Sequence, residues 1–406
     1  MNILFLNRGP VMPTYGGIQR VSKALSDYFS RIGYHVEHLS TFTIEESEVF
    51  YPIKKRNLKY IENQYFLPYK LVLGEKPSHE NIKFFLNFLE DRKIDLVINN
   101  GGLTPLLSDL AYFSKLSGRK IGLISVIHST IIDKFNNFGY IKEFKLRKRH
   151  LSFLLPILKN KVVVFLIKKL YAIKVRSHFL RLCNNSDRVV MLSQYLLPEM
   201  KSILGMIPNN VVTINNPYAS NIDACEIPQK QHKLLWVGRV DEGKRLDFFI
   251  KIWERIFKQF PDWSVDILGD GPMLNICRQY VCDNKIERIN FRGFVEPEDY
   301  YKEASIFCFT TVFEGFGLVI LEAMSSYCVP ISFNSFASVS DLIDDSVNGI
   351  LINSFDVPQY AKKLEQLMCD DALRNELAFN AFKKAKNFSI DNIGSQWVKQ
   401  INEILK

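Results

Sequence analysis

Short apolar runs alternate along this chain with segments whose apolar residues recur at helical spacing. NILFLN (2–7) is followed by the glycine loop GPVMPTYGG (9–17) and by a helical pattern from Ile18 to Ile32; Gly33 stops it and YHVEHLS resumes an extended run. DLVINN (95–100), GLISVIH (122–128) and RVVMLS (188–193) are almost continuously apolar, as strands covered on both faces are. A second series starts at KLLWVG (233–238): helix 246–260, WSVDILG (263–269), helix 274–284, INFRGF (289–294), SIFCFTT (305–311), helix 319–326 and VPISFN (329–334). Alternating strands and helices predict an α/β protein with two facing Rossmann-like, doubly wound parallel sheets. Turn-forming residues at Asn215–Pro217 divide it into 1–215 and 216–389, a natural hinge. Ligands of such sheets bind beyond the carboxyl ends of strands, so two facing domains create a central cleft.

At 406 residues the chain exceeds what one core serves, and 47% hydrophobic with 23% charged residues makes it globular. Its seven scattered cysteines (183, 225, 277, 282, 308, 328, 369) match no zinc pattern and read as reduced thiols. MNILFLNRG lacks the basic start and longer apolar core of a signal peptide, so a cytoplasmic location is expected.

The net charge of +9 is concentrated. From Lys134 to Arg181 basic residues, among them Lys145, Arg147, Lys148 and Arg149, face the single acid Glu143, interleaved with LSFLLPIL (151–158) and VVVFLI (162–167). Both runs fall short of the roughly 20 residues that span a bilayer. They read as interfacial helices for an anionic membrane surface, placing the protein peripherally on the inner face of the membrane, or else as apolar runs packed into the protein. Nucleic acid is not expected, because leucine and valine stand where stacking aromatics would.

Candidate chemistry follows the strands. In TTVFEGFGLVILEAM (310–324) Glu314 and Glu322 are eight positions apart, which on one helix means about 12 Å at roughly 1.5 Å per residue. Gly315 and Gly317 break that helix, giving strand, glycine loop and helix N-terminus, an arrangement that suits phosphate, or else an ordinary turn with solvated glutamates. After Gly238, Arg239 and Lys244 supply two cations for a diphosphate; Glu322 can accept from a ribose diol and Glu314 from sugar hydroxyls. LGDGP (268–272) and FRGF (291–294) either line a base pocket, with Gly269, Arg292 and Phe294, or form tight turns. Gly16 and Gly17 open a helix without the spacing of a dinucleotide fingerprint. His128 ends a strand and is either a structural hydrogen-bonding residue or part of the site. No triad order, P-loop or HExxH motif stands in a matching context.

Together these segments resemble the GT-B glycosyltransferases of the large retaining class called family four. YGGIQRVSKALSDYFSRIGYHVEHLS resembles the family's opening, LLWVGRVDEGKRLD its phosphate-binding strand and helix, FEGFGLVILEAM its paired-glutamate signature and NFSIDNIGSQWVKQINEIL its last helix. The resemblance implies that helix 390–406 returns to complete an amino-terminal, acceptor-binding domain, and that 216–389 binds the donor. Glu322 would bind the ribose, Glu314 the transferred sugar, and Arg239 with Lys244 the diphosphate. The backbone at Gly315, Phe316, Gly317 and Leu318 would serve sugar and phosphates, Gly16 and Gly17 the phosphate or acceptor, and His128 the sugar near its reacting carbon.

The family uses no metal or cofactor, so the cations would stabilise the departing diphosphate, which in a front-face retaining mechanism itself takes the acceptor proton. Expected partners are a nucleotide diphosphate sugar, most simply a UDP-sugar carrying a hexose or N-acetylhexosamine, and a saccharide or lipid-linked saccharide acceptor. AMSSYCVP and FNSFASVSDLIDDSVNGILI (333–352) depart from the family by lacking glycines, while Asp341 and Asn348-Gly349 keep its pattern. Two other readings share the architecture: a UDP-sugar 2-epimerase, and a non-catalytic nucleotide-sugar-binding subunit.

Overall fold

The computed structural model describes residues 1–11, 16–41, 63–72, 74–218 and 229–406; residues 12–15 of the predicted glycine loop and Cys225 lie outside them. The chain forms two units, Met1–Ile131 with Tyr171–Ser220 and Phe388–Lys406, and Ile132–Leu170 with Asn221–Asn387.

The first unit holds seven strands: β1 (Asn2–Asn7), β2 (His35–Ser40), β3 (Gln64–Phe66), β4 (Leu96–Asn99), β5 (Gly122–Ile127), β6 (Arg188–Met191) and β7 (Val211–Thr213). All pair in parallel, in the order β3-β2-β1-β4-β5-β6-β7. β4 and β5 are buried throughout, and β1 and β6 apart from their first residue, as helices on both faces require. Helix Ile390–Leu405, capped by Ser389 Oγ, packs on helix Gly17–Arg31. Gly394 makes this possible: a Cβ there would lie 2.5 Å from the Tyr28 ring. Ile404 and Leu405 reach Gly122 at the start of β5.

The second unit holds β8 (Gln231–Val237), β9 (Ser264–Leu268), β10 (Ile289–Gly293), β11 (Ala304–Phe309), β12 (Val329–Phe333) and β13 (Ile350–Ile352), parallel and ordered β10-β9-β8-β11-β12-β13. Its core is aromatic, with Trp236, Trp253, Trp263, Tyr360 and Phe333 fully buried. Buried indoles need partners: Trp236 Nε1 donates to Thr310 Oγ1 (3.1 Å) and Trp253 Nε1 to Glu287 O (2.9 Å). Helix Leu246–Ile256 buries Leu246, Phe249, Ile250 and Trp253 at helical spacing.

The expected partition is corrected at the basic segment, which a division at residue 215 puts whole in the amino-terminal domain. Residues 132–170 belong to the second unit. Asn137 Nδ2 donates to Val312 O (2.6 Å) and Ser335 O (2.8 Å), and the Tyr140 ring lies 4.1 Å from that of Phe355. Arg245, buried and in the left-handed region at φ 50°, binds Asp247 twice at 2.8 Å and reaches Tyr140 O and Glu143 Oε2 at 3.4 Å. LSFLLPIL becomes a turn of 3-10 helix, Ser152–Leu154, followed by helix Leu155–Lys159; VVVFLI opens the long helix Lys161–Asn185. Among the described residues no helix is long and apolar enough to cross a membrane. The six described cysteines are free thiols.

Candidate functional site

In the second unit the chain leaves β8 towards β9 on one side and β11 towards β12 on the other, so the crevice of the doubly wound sheet opens at the carboxyl ends of β8 and β11. Gly238–Lys244 follows β8 and Thr310–Gly317 follows β11. Asp241 shapes the first loop: Oδ1 accepts from the N–H groups of Gly243 (2.9 Å) and Lys244 (3.0 Å), and Oδ2 from Arg239 Nε (2.6 Å). The second loop is stitched to the first, Thr311 Oγ1 and Val312 N both donating to Gly243 O (3.0 and 2.8 Å). Lys244 Nζ thereby meets the Glu314 carboxylate, above the Phe309 ring.

Arg239, Lys244 and Glu314 are therefore brought together, and each cation already holds a carboxylate. The pairing leaves donors over. A guanidinium carries five N–H groups and an ammonium three, and the Arg239 side chain is 63% exposed. Beside them Gly317, at φ +98°, caps helix Leu318–Ser325, whose first N–H groups have no partner within the helix. Ser338 Oγ holds the loop by donating to Gly315 O (3.1 Å). The Phe316 ring is buried, so that residue offers the loop only its backbone.

Glu322 lies in the second turn of this helix rather than at its N-terminus, buried, with Oε2 accepting from Tyr301 Oη at 3.0 Å. Arg292 is held by a carboxylate. Asn290 pairs with Asp266 across β10 and β9, so Arg292, two residues on, projects from the same face and binds Asp266 Oδ1 at 2.7 Å. That hydrogen bond raises the guanidinium pKa. Phe294 is half exposed just beyond β10. Gly269, at φ +141°, is explained by packing: a Cβ there would fall 1.8 Å from Gly238 O, and one on Gly271 2.4 Å from Val240 O. Gly238 itself has room for a side chain, its nearest neighbour being 3.5 Å away.

In the first unit the sheet reverses between β1 and β4, and both strands end in asparagine. Asn100 Nδ2 donates to Asn7 Oδ1 (2.7 Å) and Ser22 Oγ (2.9 Å). Its carbonyl is left to accept, so His128 Nε2, 2.9 Å away, carries the proton. Nδ1 is then a buried lone pair with no hydrogen-bond partner among the described residues. Burial pushes His128 down to about 4, so it is neutral at neutral pH. Glu199, buried, fixes the segment after β5 by accepting from Thr130 Oγ1 and Ile131 N, both at 2.6 Å. Gly16 and Gly17 are exposed at the start of helix Gly17–Arg31.

Sequence reasoning missed Asp241, Tyr301, Asn7, Ser22 and Asn100. The asparagines carried a signal, a polar residue closing an otherwise apolar strand in NILFLN and DLVINN. Among the described residues no group of three or more His, Cys, Asp or Glu side chains is arranged to hold a metal ion.

Residues 231–370 match the family model described as Glycosyl transferases group 1. The chain is 24% identical over 230 residues to a poly(glycerol-phosphate) alpha-glucosyltransferase of Bacillus subtilis, covering 55% of this chain and 33% of the relative. It is 30% identical over 178 residues to a Campylobacter jejuni alpha-1,4-N-acetyl-D-galactosaminyltransferase named for an undecaprenol-diphosphate-linked substrate, covering 43% and 49%. The matches thus span a third to about half of these relatives. Among solved structures, S. aureus TarM in complex with fondaparinux, alpha-GlcNAc-glycerol and UDP superposes with a TM-score of 0.69 at 15% identity, covering 99% of this chain and 100% of that one. The chain has the GT-B fold, and the match to the glycosyl transferases group 1 model lies in its second unit.

Proposed function

We propose that this protein is a retaining glycosyltransferase that moves a hexose or N-acetylhexosamine from a UDP-sugar to a saccharide or lipid-linked saccharide in cell-surface polysaccharide assembly. The carrying observation is the convergence of Arg239, Lys244 and Glu314 at the carboxyl ends of β8 and β11, beside a helix N-terminus. The relatives' names, with their alpha-glycosyl products and an undecaprenol-linked substrate, support the acceptor and donor classes.

In this reading the remaining N–H groups of Arg239 and Lys244 and the first-turn backbone of Gly315–Leu318 hold the diphosphate and stabilise the charge it gains on leaving. No metal or cofactor takes part. Glu314 accepts from sugar hydroxyls while Lys244 holds its carboxylate in place. Glu322, positioned by Tyr301, accepts from the ribose. In the first unit His128 Nδ1 accepts from a hydroxyl, and Gly16 and Gly17 present N–H groups to an anion. The protein works in the cytoplasm, peripherally on the inner face of the membrane.

Thermal unfolding with UDP, GDP and ADP tests the donor site. At about 100 times its dissociation constant UDP stabilises by roughly 2.7 kcal/mol, an effect that Arg239→Ala and Glu322→Gln remove. Labelled UDP-sugars then separate the activities: a transferase needs acceptor, an epimerase converts donor alone, and a binding subunit does neither. Absence of stabilisation by any nucleotide overturns the donor-site assignment.

A further inference from the structure

Helix Lys161–Asn185 begins by exposing what a globular protein normally covers. Val162, Phe165, Leu166 and Leu170 are between 53% and 68% exposed, and their spacing puts them on one helical face. Phe153 and Ile157, in the turns just before, are 68% and 50% exposed. The opposite side is the one that packs. Val164 is buried, and Lys168 binds Asp133 Oδ1 (2.5 Å) and Asn136 Oδ1 (3.0 Å). Contiguous exposed apolar surface of this kind marks an interaction site.

The charge around it selects the partner. No aspartate or glutamate occurs between Glu143 and Asp187, while Lys145, Arg149, Lys161 and Lys169 are exposed and form no ion pair among the described residues. A second copy of the chain would bring like charges together across a two-fold interface, where protein interfaces are depleted of charge at their centre. Nucleic acid would satisfy the cations but offers no apolar phase for Val162, Leu166 and Leu170. An anionic lipid surface offers both, acyl chains for the stripe and headgroups for the cations.

We propose that the exposed face formed by Val162, Phe165, Leu166 and Leu170, with Phe153 and Ile157, docks the protein on an anionic lipid bilayer. This gives the peripheral placement proposed above a defined surface and rests on that reading only for the side of the membrane. Docking is read from vesicle binding alone, so its failure is distinguishable from failure of sugar transfer.

The full chain is sedimented with vesicles of phosphatidylcholine, with or without phosphatidylglycerol. It is expected to bind the anionic vesicles, less as salt rises. The triple variant Phe165→Ser/Leu166→Ser/Leu170→Ser should bind at least about tenfold more weakly, and Lys161→Gln/Lys169→Gln should lose most of the preference for anionic lipid. Circular dichroism and UDP-dependent unfolding confirm that each variant is folded. Failure of the native chain to bind, or equal binding by the triple variant, overturns the proposal. So does a dimer in light scattering that the triple variant dissolves while vesicle binding is absent, since a second copy then occupies the face.

Discussion

Two histidines of the first unit, His38 buried and His128 half-buried with its Nδ1 inside, make it sensitive to acid. His38 is 1% exposed, stacked on Phe5, with Nδ1 facing Asn7 Nδ2 (3.4 Å) and Nε2 facing Ser26 Oγ (3.2 Å). Burial first, and then Lys23, push it down to about 3; burial takes His128 to about 4. Both values lie below that of an unfolded histidine, about 6.5, so protons bind the unfolded chain preferentially. The stability that neutrality confers is present above about pH 6.5 and is lost as the pH falls towards the folded values. At about pH 5 the unfolded state has gained roughly 1.5 pH units of protonation at each site while the folded state has gained almost none. At 1.36 kcal/mol per unit this costs about 2 kcal/mol per histidine, or about 4 kcal/mol for the pair. Native-state hydrogen exchange in β1 and β2, compared at about pH 7.5 and 5 and corrected for intrinsic rates, reads it directly. Carboxylates are common to the native chain and to His38→Gln/His128→Gln, so the variant should lose about 4 kcal/mol less between the two pH values. Equal losses in both proteins would refute the buried-neutral assignment.

The two strand-end glycines should behave differently. Gly269→Ala drives a Cβ into Gly238 O and should cost more than about 3 kcal/mol, whereas Gly238→Ala should cost under about 1 kcal/mol, both read as thermal shifts. Arg245→Ala removes a buried guanidinium lying over the Phe248 ring and paired with Asp247 and Glu143. It should destabilise the second unit by about 3–5 kcal/mol and speed exchange in helix Phe138–Lys148. Asn100→Asp places a carboxylate beside the His128 Nε2–H and should raise the His128 pKa above about 4. An NMR titration of the ring nitrogens checks this, and an unchanged value would remove Asn100 as the group that sets the tautomer.

The long parallel strands were legible because each is an uninterrupted apolar run closed by a turn residue; NILFLN coincides with β1 and GLISVIH with β5 apart from its last residue. The three-residue strands β3 and β13 were not, since three residues carry no measurable period and are held by pairing to a neighbour. Of the site, the groups that follow strands could be named from sequence. Their partners could not: the Asp241 turn, the Tyr301–Glu322 bond and the Asn7–Asn100–His128 chain join residues by tertiary geometry, the last two across |i−j| of 21 and 93 or 28.

The basic segment illustrates the same limit with a consequence for charge. Its lone acid, Glu143, is drawn into the protein, where Arg147, Arg245 and Lys159 surround it. Burial pushes the Glu143 carboxyl up, but Arg147, Arg245 and Lys159 outweigh that and hold it below its ordinary range. The one negative side chain in the stretch is thus committed to fastening 132–170 within the second unit. Lys145, Arg149, Lys161 and Lys169 are left facing solvent without an acid of their own segment to answer them. Apolar runs and lysines were visible in the sequence. Which of them fasten the segment and which stay outside was decided by Arg245, about a hundred residues downstream, whose left-handed backbone at φ 50° aims its guanidinium back at Tyr140 and Glu143.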